Sequence, residues 1–154
     1  MLPLYSARSP ESLHLYNKIE AMNYFDAPYL SINWDDDCNC VCMEWKKFVK
    51  GRGYRDGLDK GLELAVSKST ERWLADLRMM NVVDIEDQAW SNEDWFPRAI
   101  AGGIRYMAIV IPKDVFAKMS VNSIMGKVPE SAIQVAYFEE NGEAKQWLKK
   151  QPGQ

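Results

Sequence analysis

The chain has 154 residues, of which 47% are hydrophobic and 27% charged, and 19 Lys plus Arg stand against 22 Asp plus Glu for a net charge of -3. A chain of this size buries roughly 68–70% of its unfolded surface around one core, and the composition is too apolar for a disordered segment. The acidic balance gives no chain-wide attraction to phosphate backbones or anionic lipid, so nucleic acid is not an expected partner. No run of apolar residues approaches the roughly 20 that cross a bilayer.

Residues 1–28 carry Pro3, Pro10 and Pro28 and only short alternations such as Leu13-His14-Leu15-Tyr16, which reads as an extended N-terminal arm able to cover a sheet edge. Met1-Leu2-Pro3-Leu4-Tyr5 has neither the basic leader nor the apolar length of a secretory signal, so a cytoplasmic protein is expected. Leu30, Ile32 and Trp34 alternate with polar residues, Asp35-Asp36-Asp37 makes a turn, and Val41, Met43 and Trp45 alternate again, which predicts a β-hairpin. Cys38, Cys40 and Cys42 are an odd number packed closely together and do not form a disulfide framework; reduced thiols on one strand face, packed against a helix, are expected.

Beyond Gly51 and Gly53, the residues Tyr54, Leu58, Leu62, Ala65 and Val66 recur on one face of a helix. Trp73–Leu77 reads as a short strand, residues 85–101 as an interrupted helix in which Pro97 either kinks one helix or separates two, and Gly102-Gly103 as its stop. Tyr106–Ile111 is apolar on both faces, the signature of a central parallel strand covered on each side. Val121, Ile124, Met125 and Val128 form the next helical stripe, Ile133–Phe138 the last strand, and Asn141 is placed to cap a terminal helix bearing Ala144, Trp147 and Leu148. The methionines Met79, Met80, Met119 and Met125 read as core filling. The sum is an α/β domain over residues 29–150, β-β-α-β-α-β-α-β-α, with a mostly parallel sheet and one antiparallel edge strand, an extended arm before it and a frayed tail at 151–154.

This order, with Trp73-Leu74-Ala75-Asp76, Trp95-Phe96-Pro97-Arg98, Gly103-Ile104-Arg105-Tyr106-Met107-Ala108 and Ala144-Lys145-Gln146-Trp147-Leu148, resembles the bacterial SpoIIAA-like proteins of the STAS group, named for sulfate transporters and anti-sigma-factor antagonists. In those antagonists the third strand leads through an acidic residue into a serine that a partner kinase phosphorylates at the start of the next helix. Asp84 falls at the acidic position, Ile85 at the serine position, and Ser91 is the nearest serine downstream, which argues against a phospho-switch. The resemblance implies a small regulatory module that binds a protein or ligand at the end of the sheet, without turnover and without a cofactor.

The cluster Asp84, Glu86, Trp90, Trp95 and Arg98 follows the third strand, where open α/β sheets place ligand crevices, and is the candidate binding site. Packing of the tryptophans on the sheet and an acidic helix start explain the same residues. His14, the one histidine, lies in the arm, which disfavours a His-dependent triad, so no catalytic residue is assigned. Three cysteines on one strand lack the CxxC-type turns of zinc sites, so no metal is assigned. Lys46, Lys47, Lys50, Arg52 and Arg55 interleave with Trp45, Phe48 and Tyr54 and read as a solvated loop, and Gly51-Arg52-Gly53 does not continue into a P-loop, so no nucleotide cofactor is implied. Two other functions are open: an apolar small molecule or lipid in a cavity lined by Trp90, Trp95, Phe96 and Tyr106, and a carboxylate-dependent hydrolase using Asp84 or Glu86. The arm also makes a homodimer an option.

Overall fold

The computed structural model describes residues 9–11 and 23–153; the alternation at Leu13–Tyr16, with His14, lies outside them. Six strands, β1 (Asn23–Ala27), β2 (Leu30–Asp35), β3 (Cys40–Trp45), β4 (Arg72–Asp76), β5 (Tyr106–Val110) and β6 (Gln134–Phe138), form one sheet in chain order. β2 runs antiparallel to both neighbours, and β3 through β6 are parallel. The expected hairpin is β2–β3. Outside it lies β1, formed by residues assigned to the arm, so the antiparallel part of the sheet is two strands wide and β1 is the edge.

Helix α1 (Arg52–Lys68) joins β3 to β4, and α4 (Val115–Met125) joins β5 to β6. Between β4 and β5 lie α2 (Ile85–Trp90), a π-helical turn (Ser91–Trp95) and α3 (Phe96–Ala101); α5 (Asn141–Lys150) ends the order. Pro97 sits in the first turn of α3, where a missing N–H is tolerated, and the wide π-helical turn before it carries the chain onward without a break.

Period-two patterning sorts the strand residues onto two faces. Leu30, Ile32, Val41, Met43, Trp73, Ala75, Met107 and Ile109 pack under α1, α2, α3 and α4, while Cys40, Leu74, Ala108 and Val110 pack under Ala144 and Leu148 of α5. The Tyr106–Val110 strand is thus covered on both sides, as its two-faced apolarity demands. α1 lies close to the sheet through Gly57 and Gly61: a Cβ at Gly61 would stand 2.5 Å from the Trp73 ring.

Three local expectations are corrected. Asn141 is the first residue of α5 and makes no cap; its amide donates instead to Asp76 Oδ2 at 3.2 Å. Residues 151–153 are held, since the buried Arg72 guanidinium donates to Gln151 O at 2.8 Å and Gly153 O at 3.4 Å. Met80 is core, but Met79 and Met119 are exposed.

Candidate functional site

The carboxyl ends of β3, β4 and β5 feed three connections, residues 46–51, 77–84 and 111–114, that meet at one end of the sheet. Lys113 N donates to Arg78 O at 3.2 Å and Val83 N to Ser120 Oγ at 3.1 Å, tying the second connection to the third and to α4. Asp84 Oδ2 accepts from Glu86 N at 3.2 Å and starts α2; Asp114 Oδ1 accepts from Ala117 N at 2.8 Å and starts α4. The two helix starts are therefore fixed side by side.

Around them the surface is apolar. α4 buries Ala117, Ser120, Val121 and Ile124 and turns Val115, Phe116 and Met119 outward. Met79, Val82 and Ile85 add to them from the β4–α2 connection and the first turn of α2, and Phe48 from the β3–α1 connection. Ile85 is 74% exposed and Phe116 64%. Phe48, Asn81, Val82, Asp114 and Phe116 line a shallow cleft of about 520 Å³. Clustered exposure of this kind marks interaction surfaces, unlike isolated apolar side chains. Sequence reading missed it; the available signal was that Val115, Phe116 and Met119 are apolar yet fall off the buried stripe of their helix.

The five residues singled out from sequence separate. Asp84 is occupied as a cap, and Glu86 is exposed in the first turn of α2. Trp95 is core: its Nε1 donates to Leu58 O at 3.1 Å, and its ring meets those of Trp73 and Phe96 edge-on at 5.1 and 4.9 Å. Trp90 and Arg98 do come together. The Arg98 guanidinium lies 5.8 Å from the Trp90 ring centroid and Arg55 lies 5.5 Å from it, so two cations share one indole. Arg98 also pairs with Asp59 at 2.8 Å and Asp94 at 3.0 Å, and Arg55 with the buried Asp87 at 2.9 Å. Asp87 in turn accepts Gly51 N at 2.8 Å and so caps α1 from another helix. The group is a web of satisfied pairs.

Ser91 has no exposed surface; its hydroxyl shares a 2.7 Å hydrogen bond with Tyr54 Oη and donates to Asp87 O at 2.8 Å. Burial pushes the Tyr54 phenol up to about 12, with Asp87 adding to the effect and the Ser91 hydrogen bond opposing it. Of the three aromatics interleaved with the basic residues, Trp45 and Tyr54 are buried with ring centroids 5.4 Å apart and offer no stacking platform, while Phe48 is exposed.

The apolar layer holds a cavity of about 70 Å³, bordered by Trp73, Trp95, Phe96, Met107 and Ile124. Trp90 and Tyr106, expected in its lining, are absent from it, and Tyr106 packs on the opposite face of the sheet. An apolar cavity that takes benzene measures about 150 Å³, so a fatty chain does not fit here. Of the two carboxylates of the hydrolase reading, Glu86 is exposed and Asp84 accepts the Glu86 N–H.

On the α5 face, Asp76 lies at the end of β4. Burial works against its ionisation, yet two side-chain hydrogen bonds from Arg78 at 3.0 and 2.7 Å, the Arg78 backbone N–H and Asn141 outweigh it, and its carboxyl is held below the usual range. Asp35 is lowered in the same way: burial is overcome by Lys145 at 2.8 Å and by backbone N–H groups of Cys38 and Asp37. Cys38 and Cys40 are joined by a disulfide, a correction to the expectation of reduced thiols, and Cys42 is the free cysteine. Burial pushes the Cys42 thiol up to about 12, against the opposing pull of Lys145, which makes it a poor nucleophile at neutral pH. The cysteine face does pack against the terminal helix, through Ala144, Trp147 and Leu148.

No helix among the described residues is long and apolar enough to cross a membrane. Comparison with curated proteins and with solved structures gives no match. The family model described as SpoIIAA-like matches residues 40–149, which takes in all four parallel strands and the helices that follow each of them. The chain belongs to the SpoIIAA-like family.

Proposed function

We propose that this protein is a non-enzymatic regulatory module that docks a partner protein on the apolar surface at the carboxyl ends of β3, β4 and β5. The observation that carries this reading is that Phe48, Val82 and Phe116 line one cleft, with Val115 and Met119 exposed on the same helix as Phe116 and Ile85 exposed at the capped start of α2. The resemblance to anti-sigma-factor antagonists places a kinase-targeted serine at the start of α2, and Ile85 stands there. A side chain 74% exposed and wholly apolar presents a permanent contact in place of one that phosphate would switch. Cytoplasmic residence and a protein partner follow from the same reading.

A photo-crosslinking residue placed at Phe116, with Val66 on the exposed side of α1 as the control position, tests it in the native host. The expected result is one defined protein captured at 116 and not at 66, with Phe116→Asp and Ile85→Asp each weakening the purified complex by roughly 30-fold or more, the scale of an interface hot spot. Capture of a second copy of this chain would identify the partner as a homodimer mate. Equal capture at both positions, or binding that survives both substitutions, overturns the assignment.

A further inference from the structure

Cys40 and Cys42 lie on β3 with their side chains toward α5, whereas Cys38 is in the preceding turn and not on the strand. Asn39, with φ of 50°, reverses the chain there, and its carbonyl accepts from the Thr70 hydroxyl, which fixes the turn. The three Sγ atoms consequently lie within 4.8 Å of one another, and those of Cys40 and Cys42 are 3.6 Å apart. Thiolates about 2.3 Å from a bound ion stand roughly 3.5–4 Å from each other. That is the spacing of Cys40 and Cys42, and rotation of the Cys38 side chain brings the third sulfur to it once the Cys38–Cys40 bond is open.

Charge points to a ligand as well. Arg72 is Cys40's register partner on β4 and lies on the same face. Its side chain is more than nine-tenths buried, donates only to the carbonyls of Cys38 (2.9 Å), Gln151 and Gly153, and leaves Nε without a partner. None of the ion pairs among the described residues includes it. A buried cation without a counter-charge is costly. Three thiolates on a divalent ion carry one net negative charge, which matches it, and the nearby Asp35 and Asp76 are already neutralised by Lys145 and Arg78. Access exists: Cys42 borders a cleft of about 270 Å³ together with Asn33, Asp35, Asn141 and Lys145.

We propose that, when the Cys38–Cys40 disulfide is reduced, Cys38, Cys40 and Cys42 form a three-sulfur site for a divalent thiophilic cation of the zinc and cadmium class. A thiol or phosphine reductant supplies the two electrons that break the Sγ–Sγ bond, both sulfurs take up a proton, and ion binding then displaces three protons from the three thiols. Soft thiolates select such ions over magnesium or calcium, and the disulfide form holds none.

The test uses the full chain reduced with a phosphine, mixed with equimolar cadmium and desalted against a weak chelator. Expected are one retained cadmium per chain and the ultraviolet thiolate-to-cadmium charge-transfer band, displacement by zinc, and loss of both signals in the unreduced chain and in a Cys42→Ser variant whose circular dichroism matches wild type. A reduced wild-type chain that retains no cadmium overturns the proposal without reference to any variant. So does a folded Cys42→Ser that retains as much as wild type.

Discussion

Substituting Gly61 by alanine separates two effects of opposite sign. In the middle of a 17-residue helix, alanine gains about 0.8–1 kcal/mol over glycine in intrinsic propensity. Against that, the new methyl would lie 2.5 Å from the Trp73 ring and 2.7 and 3.1 Å from Met43 Sδ and Cε. The Met43 thioether end can rotate away, but the Trp73 ring cannot, since it is buried between α1 and Trp95. α1 must therefore lift by roughly 1 Å to reach ordinary contact, loosening Leu58 and Leu62 on the same face. Overpacking of this type costs about 1–3 kcal/mol, and a 2.5 Å approach to a fixed ring puts it in the upper part, about 2–3 kcal/mol; less the propensity gain, Gly61→Ala is expected to lose a net 1–2 kcal/mol or so, a fall in Tm of roughly 2–8 °C for a domain of this size. Gly142→Ala is the control: nothing lies within 4 Å of its Cβ, and it is expected to gain roughly 0.5 kcal/mol. Urea denaturation of both variants decides the matter. A Gly61→Ala protein as stable as wild type would refute the claim that α1 is seated by its glycines.

Asp76 and Asp35 have carboxyls lowered in the fold, so the stability they contribute is present above the unfolded value near 4 and is lost as pH falls through their folded values. Asp76→Asn should cost about 1–2 kcal/mol at pH 7, discounted because Arg78 is a third exposed, and distinctly less at pH 3; urea midpoints that differ equally at both pH values would contradict this. Asp87→Ala removes the acceptor of both Gly51 N–H and Arg55, uncaps α1 and frees Arg55 from its place over Trp90, with an expected loss of about 2–3 kcal/mol and a change in tryptophan emission. An unchanged midpoint and spectrum would mean that neighbouring groups replace the cap.

The chain order of strands and helices was legible because each element carries its own periodicity: Leu30, Ile32 and Trp34 on one face of β2, and Tyr54, Leu58 and Leu62 on one face of α1. β1 was not, because Asn23-Tyr24-Phe25-Asp26-Ala27 packs only through Phe25 and an edge strand needs no buried face. Trp90 and Trp95 looked alike in sequence, as aromatics among carboxylates, but they stand at the two ends of the π-helical turn, which periodicity at α-helical spacing does not register. One meets arginines and the other the sheet. The cysteine trio was misjudged for a different reason: whether Cys38 continues the strand or folds back depends on a single left-handed residue, Asn39, whose conformation no periodicity records.

Ile85 decides what kind of control the proposed docking surface allows. A phosphorylated serine at a helix start adds up to two negative charges, and recognition that depends on it weakens with salt. Here the helix start is capped by Asp84, the flanking contacts are aliphatic and aromatic, and the next serine, Ser91, is sealed by Tyr54 and Asp87 beyond the reach of a kinase. Partner binding through this face should therefore show a pronounced negative heat-capacity change and little dependence on ionic strength, both readable by titration calorimetry over temperature and salt. An affinity that collapses between low and moderate salt would mean that the charged web of Arg55, Arg98 and Trp90 is the contact surface, and that the apolar patch serves the partner only as a boundary.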